Sequence, residues 1–190
     1  MRRIVVTEFV SLDGVMEDPG GSEDTPHGGW SFKFQDPEGM KYKLEEVMEH
    51  DAMLLGRVTF EGFAEAWPDR SDEAGFADKM NSMKKYVVSS TLESPEWENS
   101  EVLGANLEAE VARIKEEPGQ DILVAGSASL VHALTAAELV DEYRLMLFPI
   151  VLGDGKRVFG DSTDATVLEL ADSKVLDSGT VILTYHRAEG

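Results

Sequence analysis

The chain has 190 residues, of which 42% are hydrophobic and 28% charged, and its formal net charge is −20 at pH 7. This composition predicts a globular protein with a single domain over residues 1–190. The absence of cysteine excludes disulfides, thiolate catalysis and cysteine-ligated zinc, and the scattered histidines predict no metal site. The negative charge disfavours nucleic acid and anionic membranes as partners. Because no apolar run reaches the roughly 18 residues of a membrane helix, and no signal peptide is evident, we expect a cytoplasmic protein.

The first part of the chain predicts strands alternating with helices. Residues 3–10 are rich in β-branched side chains and predict a central strand. Residues 13–30 contain five glycines and no evident apolar anchor, which predicts a mobile lid over a substrate. Asp36, followed by proline, has the pattern of a helix N-cap. The apolar run 52–55 then predicts a buried strand that leads into another helix.

The second part predicts further strands and a change of topology near the end. Residues 85–91 predict a strand, Asn106 caps a helix, and residues 122–125 predict a buried strand before a helix that Ser127 can cap. The order of elements implies helices on both faces of a mixed sheet that is mostly parallel, with antiparallel strands at its C-terminal edge. The later predicted strands are 143–152, 167–170, 174–176 and 180–186.

Three of the predicted strands end in small or hydroxyl-bearing residues. Ligands of open α/β sheets bind beyond the carboxyl ends of the parallel strands, and helix N-termini attract anions, so these corners suit an elongated cofactor that carries phosphates. Short loops in α/β proteins also favour Gly, Ser and Thr for structural reasons, and the corners alone leave both interpretations open. The three corners are Gly56-Arg57-Val58-Thr59, Ser89-Ser90-Thr91 and Gly126-Ser127-Ala128-Ser129.

These motifs, in this order, resemble the dihydrofolate reductase-like superfamily, and in particular the C-terminal reductase domain of RibD, a bifunctional enzyme of riboflavin biosynthesis. The similar blocks span nearly the whole chain, which looks most like the stand-alone members of that group. The sequence departs from the pattern at Ala125-Gly126, where these families commonly carry Gly-Gly. The blocks are Ser11-Leu12-Asp13-Gly14, residues 54–60, residues 87–91, the strand that enters Gly126, and residues 149–159.

The resemblance implies a dihydrofolate reductase-like three-layer α/β/α fold and an NADPH-dependent reductase, often homodimeric. Its substrate would be a small heterocyclic or carbonyl compound, such as a pterin or a ribosylaminopyrimidine. A catalytically silent dinucleotide-binding module with the same fold is the alternative. By position, the resemblance places the cofactor phosphates along Gly56, Arg57 and Thr59, the adenosine 2′-phosphate beside Ser89, Ser90 and Thr91, and the pyrophosphate and nicotinamide beside Gly126, Ser127, Ala128, Ser129 and Leu130.

The substrate side has three candidate residues, each with a structural alternative. Asp13 can accept hydrogen bonds from substrate amino groups or form a turn, and Trp30 can close a lid or belong to the core. Asp36 stands roughly where dihydrofolate reductases keep an acidic residue, but it can simply cap its helix. On the cofactor side, Arg57 can bind the 2′-phosphate or pair with Glu61 one helical turn away.

Overall fold

A computed structural model describes residues 1–160 and 165–188. The strands are β1 Ile4–Ser11, β2 Ala52–Gly56, β3 Lys84–Val88, β4 Ser100–Leu103, β5 Ile122–Val124, β6 Glu142–Phe148, β7 Leu168–Val175 and β8 Val181–Arg187. The α-helices are α1 Pro37–Met48, α2 Arg57–Ala66, α3 Phe76–Ser82, α4 Leu107–Glu116 and α5 Ala128–Ala136, and a 3-10 helix spans Trp30–Phe34. None of these helices is long and apolar enough to span a membrane.

The strands β1 to β8 form one mixed sheet in the order β4-β3-β2-β5-β1-β6-β8-β7. The strands β1 to β6 are paired in parallel, whereas β8 runs antiparallel to β6 and to β7. Every residue of β2 and β5 is buried, as expected for central parallel strands covered on both faces. The prediction of a mixed sheet, mostly parallel with an antiparallel C-terminal edge, is confirmed.

Helices cover both faces of the sheet and make three layers. One core cluster joins Val47 of α1, Phe60 of α2 and Met80 of α3 to the sheet. A second cluster, on the opposite face, holds Val111 of α4 and Val131 of α5. This α/β/α arrangement follows from the alternation of side chains along each strand, which sends successive apolar residues to opposite faces.

Several predicted boundaries differ from the observed ones for local reasons. Strand β6 ends at Phe148, because the next residue is a proline that cannot donate to the ladder. The predicted strands 167–170 and 174–176 are one strand, β7, with a register shift between Leu170 and Asp172. The sequence pattern does not indicate β4, which is short, only partly buried and at the edge of the sheet.

The segment between β1 and α1 is anchored to the rest of the fold, in contrast to the prediction. Val15 and Met16 are buried, and the backbone N–H of Met16 donates to the carbonyl of Lys156 at 2.9 Å. Asp18 is also buried and accepts hydrogen bonds from the backbone N–H groups of Glu23 and Thr25. The premise of the lid prediction, a segment without apolar anchors, is therefore wrong.

Candidate active site

The strand order creates a crevice at the carboxyl end of β5. This strand lies between β2 and β1 and is parallel to both. The chain leaves β2 and β1 for helices on one face, but it leaves β5 for α5 on the other face. Such a reversal of direction is the place where open α/β sheets bind ligands.

The turns that follow β2 and β5 meet in this crevice through two glycines. Gly126 has a φ of +83°, and a Cβ on it would lie 2.7 Å from Oγ1 of Thr59. A Cβ on Gly56 would lie 2.2 Å from Oγ of Ser127. The N–H of Gly56 donates to the carbonyl of Gly126 at 3.3 Å, and the peptide bond between Gly126 and Ser127 is cis. The structure thus brings together four of the predicted cofactor-binding residues, and only glycine allows this close approach.

Helix α5 begins directly after this contact. Ser127 occupies the N-cap position but makes no capping hydrogen bond, contrary to the expected cap, and its Oγ lies 3.0 Å from Oγ of Ser129. Ala128 and Leu130 are buried in the core, so these two residues offer only backbone groups to a ligand. The first-turn N–H groups of a helix have no partner within the helix and favour an anionic group beyond it.

The corner formed by residues 89–91 lies at the same edge of the sheet as Arg57, because Gly56 pairs with Val88 at the ends of β2 and β3. Oγ of Ser89 accepts the N–H groups of Thr91 at 3.1 Å and Leu92 at 3.0 Å, which makes a tight turn. Ser90 and Thr91 are exposed in that turn.

The Arg57 guanidinium binds both carboxylate oxygens of Glu61, at 3.0 and 2.8 Å. This is the structural alternative that the sequence leaves open. Both side chains are more than 40% exposed, so the pair is worth only about 0.3–0.5 kcal/mol and can be exchanged for a stronger phosphate contact.

On the substrate side, Asp13 is occupied by hydrogen bonds from its own surroundings. Oδ1 accepts the Ser11 hydroxyl at 2.7 Å and the N–H of Leu152 at 3.1 Å, while Oδ2 accepts the N–H of Gly153 at 2.7 Å. The Ser11 hydroxyl, together with these N–H groups, lowers the pKa of Asp13 to about 2. The carboxylate therefore stays ionised near neutral pH and ties β1 to the turn after β6.

Asp36 and Trp30 also have well-defined structural partners. Oδ1 of Asp36 accepts the N–H of Glu38 at 2.9 Å, which confirms the N-cap, and Oδ2 accepts the N–H of Ser178 at 3.0 Å. The Ser178 N–H lowers the pKa of Asp36. Trp30 is 1% exposed and donates a hydrogen bond from Nε1 to the carbonyl of Glu17. Its ring packs edge-on against that of Phe148.

The structure adds a residue that the sequence interpretation missed. Glu8 is buried, and its Oε1 accepts the N–H of Gly126 at 2.6 Å. Burial raises the pKa of Glu8 to about 8, against the opposing effects of the Gly126 N–H and of Lys43. The available signal was the polar pair Thr7-Glu8, which interrupts an otherwise apolar central strand.

Next to Glu8, on the α1 side of β1, three more polar side chains are linked to one another. The Thr7 hydroxyl donates to Oε2 of Glu46 at 3.0 Å, and Nζ of Lys43 donates to both of them. Within residues 1–160 and 165–188, no group of acidic and histidine side chains could hold a metal ion.

The topology and the crevice are those of a dihydrofolate reductase-like fold. A Shewanella sp. PV-4 protein provisionally assigned to riboflavin biosynthesis is 21% identical, with a TM-score of 0.73 over 98% of this chain and 99% of that one. Dihydrofolate reductase from Enterococcus faecalis, solved in complex with NADP(H) and RAB-propyl, is 18% identical, with a TM-score of 0.64 over 98% and 97% of the two chains.

Within that fold class, the chain belongs to the RibD C-terminal domain family, which it matches over residues 2–182. It is also 34% identical to the uncharacterized protein YyaP of Bacillus subtilis, over 97% of this chain and 95% of that protein. The family resemblance stated from the sequence motifs is therefore confirmed.

Proposed function

We propose that the protein is an NADPH-dependent reductase that transfers hydride to a small heterocyclic or carbonyl substrate, pterin-like or ribosylaminopyrimidine-like. The observation that carries this proposal is the contact between the β2–α2 and β5–α5 turns, where Gly56 and Gly126 leave no room for a side chain. A backbone surface of this kind lets a pyrophosphate approach main-chain N–H groups closely. The presence of NADP(H) in the E. faecalis reductase of the same fold supports this choice of cofactor.

The residues at the crevice fit a dinucleotide with phosphates. Gly56, Arg57 and Thr59 would lie along its phosphates, and the turn at Ser89, Ser90 and Thr91 would lie beside the adenosine 2′-phosphate. The backbone from Gly126 to Leu130 would line the pyrophosphate and the nicotinamide. NADPH supplies the hydride, and the protein orients the two reacting rings and excludes water. Substrate roles for Asp13, Trp30 and Asp36 stay predictions, since their observed contacts are structural.

Two measurements test the proposal and separate it from a silent binding module. Titration with NADPH, followed by the fluorescence of the bound cofactor, should give saturable binding. Absorbance at 340 nm should then decrease when dihydropterins, ribosylaminopyrimidines or simple aldehydes and ketones are offered as acceptors. Binding without oxidation across the whole panel would favour the silent module, and no binding of NADPH would contradict both functions.

Cofactor choice depends on local cations, because the net charge of −20 repels the 2′-phosphate at long range. We expect Arg57→Ala to weaken NADPH binding by roughly 1.5–3 kcal/mol, the value of a charge-assisted hydrogen bond, or about tenfold to a hundredfold in Kd. NADH binding should change much less. Glu61→Gln is the matched control, since it releases Arg57 without removing it. Equal losses for the two cofactors in Arg57→Ala would show that Arg57 serves the pyrophosphate or the fold.

A homodimer is the expected assembly, and β7 is the surface that suits it. This strand is at the edge of the sheet, and its Leu170 and Val175 are 54% and 74% exposed. Exposed apolar side chains on an unpaired strand edge favour association, and two-fold dimers are the commonest oligomers. Light scattering should give about twice the chain mass of 20.9 kDa at micromolar concentration. A constant value equal to one chain would refute the dimer.

A further inference from the structure

Lys43 of α1 is fixed against β1, but its hydrogen-bonding capacity is incompletely used. Nζ of Lys43 donates to Oγ1 of Thr7 at 2.7 Å and to Oε2 of Glu46. An ammonium group has three N–H donors, and among the described residues no third acceptor lies within hydrogen-bond distance of this one. The side chain is 21% exposed. One donor therefore remains available for a hydrogen bond to a ligand.

The Glu46 carboxylate holds the ammonium group of Lys43 in position. Its side chain is 1% exposed, Oε2 accepts from both Thr7 and Lys43, and Oε1 has no hydrogen-bond partner in the described part of the chain. Nη1 of Arg144 is 3.8 Å from Oε1, which is an ion-pair distance but not a hydrogen bond. A buried carboxylate with an unused oxygen is costly to a fold and requires an explanation.

The lysine is close to the proposed cofactor turn. Thr7 and Glu8 are adjacent on β1, and the Glu8 carboxyl accepts the N–H of Gly126. Lys43 is near enough to Glu8 to lower the pKa of that carboxyl. Beyond Val6, β1 no longer pairs with β5 but continues beside β6, so a gap opens between the strands next to these groups. Nζ of Lys43 lies over the ring of Phe9, 5.4 Å from its centroid.

We propose that Lys43 is the catalytic proton donor of the reductase, and that Thr7 and Glu46 are its positioning residues. The proposal rests on the proposed function. Hydride from NADPH forms the new C–H bond at the acceptor carbon, the π electron pair of the C=O or C=N bond moves to the heteroatom, and that atom takes the proton from Nζ. NADPH is oxidised, the acceptor is reduced, and the neutral amine regains a proton from solvent through its exposed side.

The geometry gives physical reasons for this role. Negative charge develops on the oxygen or nitrogen during hydride transfer, and a cation already held in place stabilises that charge without reorganisation. Nζ also lies over the Phe9 ring, and this cation–π contact adds to the groups that hold the ammonium in place. Asp13 lacks this capacity, since its pKa of about 2 leaves it without a proton to donate near neutral pH.

The first experiment separates proton donation from a structural contribution. We expect Lys43→Ala to lower kcat by about 10²–10⁴, the usual contribution of a general acid, with the Kd of NADPH changed less than about twofold. Added propylamine should restore part of kcat in proportion to its concentration. Lys41→Ala is the matched control, because Lys41 is on the same helix, 60% exposed and paired with Glu45, and it should leave kcat unchanged.

A second measurement uses the intact protein and does not require turnover. Lysines of the full chain are labelled biosynthetically with ¹³Cε and ¹⁵Nζ, and the resonance of Lys43 is assigned by its absence in Lys43→Arg. With NADP⁺ bound, folate or a ribosylaminopyrimidine should shift this resonance and leave that of Lys41 in place.

The outcomes separate this inference from the proposed function. Failure of NADPH to bind the unmodified protein would refute the reductase itself. NADPH oxidation that persists within threefold in Lys43→Ala would overturn the role of Lys43 alone. A lower kcat without amine rescue, or a Lys43 resonance that no heterocycle of the panel shifts, would also overturn it.

Discussion

Glu8 in β1 and Asp13 in the turn after it are carboxyl groups on the same stretch of chain, yet their pKa values move in opposite directions. Glu8 is buried and receives one N–H, from Gly126, and burial raises its pKa to about 8. Asp13 receives a hydroxyl and two N–H groups, and its pKa is lowered to about 2. The number of donors and the access of water, rather than the residue type, decide which form of a carboxyl is stable.

The same contrast separates the two sides of the candidate site. At the start of α5 the first-turn N–H groups, and on α1 the third donor of Lys43, have no hydrogen-bond acceptor among residues 1–160 and 165–188. In the segment before α1, the carboxylates of Asp13, Asp18 and Asp36 are already occupied by backbone N–H groups. Polar groups that the fold leaves unused are the better candidates for ligand binding, and this points to the β5–β1 crevice.

The largest expected effect is at Glu8. Its folded-state pKa is above the ordinary value of 4.5, so folding favours the protonated form. Stability is therefore greatest below pH 4.5 and decreases as the pH rises to about 8, by at most roughly 5 kcal/mol from this group. Glu8→Gln keeps an acceptor for Gly126 and should remove this component of the pH dependence. Urea unfolding at pH 5 and pH 8.5 measures it.

The control for this prediction is Glu45→Gln on α1, whose side chain is 61% exposed. It should show the same pH dependence as the unmodified protein. If Glu8→Gln lost as much unfolding free energy between pH 5 and pH 8.5 as the unmodified protein, the Glu8 carboxyl would be ionised in the folded state. Its contrast with Asp13 would then disappear.

A smaller effect is expected from a side chain at Gly126. Ala at this position would require a left-handed backbone conformation and would place its Cβ 2.7 Å from Oγ1 of Thr59. Conformational strain of this kind costs roughly 1–2 kcal/mol, and the steric clash adds to it. We expect Gly126→Ala to lose about 2–4 kcal/mol of unfolding free energy and most of its NADPH affinity, measured by urea unfolding and by cofactor fluorescence.

Gly62→Ala supplies the matched control, because Gly62 is within α2 and a Cβ there meets only Oγ of Ser22 at 3.8 Å. That substitution should stabilise the helix by about 0.5–1 kcal/mol and leave NADPH binding unchanged. Unaltered NADPH affinity in Gly126→Ala would show that the turn after β5 is not part of the cofactor site.

The sheet and its cofactor edge were predictable because they depend on local patterns. Short apolar runs such as 52–55 and 122–125 indicate buried parallel strands, and the glycine after each run indicates a tight corner. The meeting of Gly56 with Ser127 follows once β2 and β5 are neighbours, a strand order that the structure supplies and the sequence patterns do not.

The rest of the site depends on contacts between residues distant in sequence. Lys43 and Glu46 have the spacing of an ordinary helical ion pair, and nothing local shows that Thr7 completes the group from β1. The anchors of the segment before α1 were missed for the same reason, since Val15 and Met16 are isolated hydrophobic residues among polar ones. Their burial depends on residues 156 and 157, far along the chain.

The smallest effect concerns Asp13, and it should have the opposite pH dependence to that of Glu8. Its folded-state pKa is below the ordinary 3.8, so its contribution to stability is complete above that value and is lost as the pH falls towards 2. Because the side chain is only partly buried, we expect Asp13→Asn to lose only about 1 kcal/mol at pH 6. The difference from the unmodified protein should shrink at pH 3. Asp69→Asn, in the exposed loop after α2, should leave the free energy of unfolding unchanged at both pH 6 and pH 3. A raised KM with unchanged stability at pH 6 would instead place the Asp13 carboxylate against the substrate.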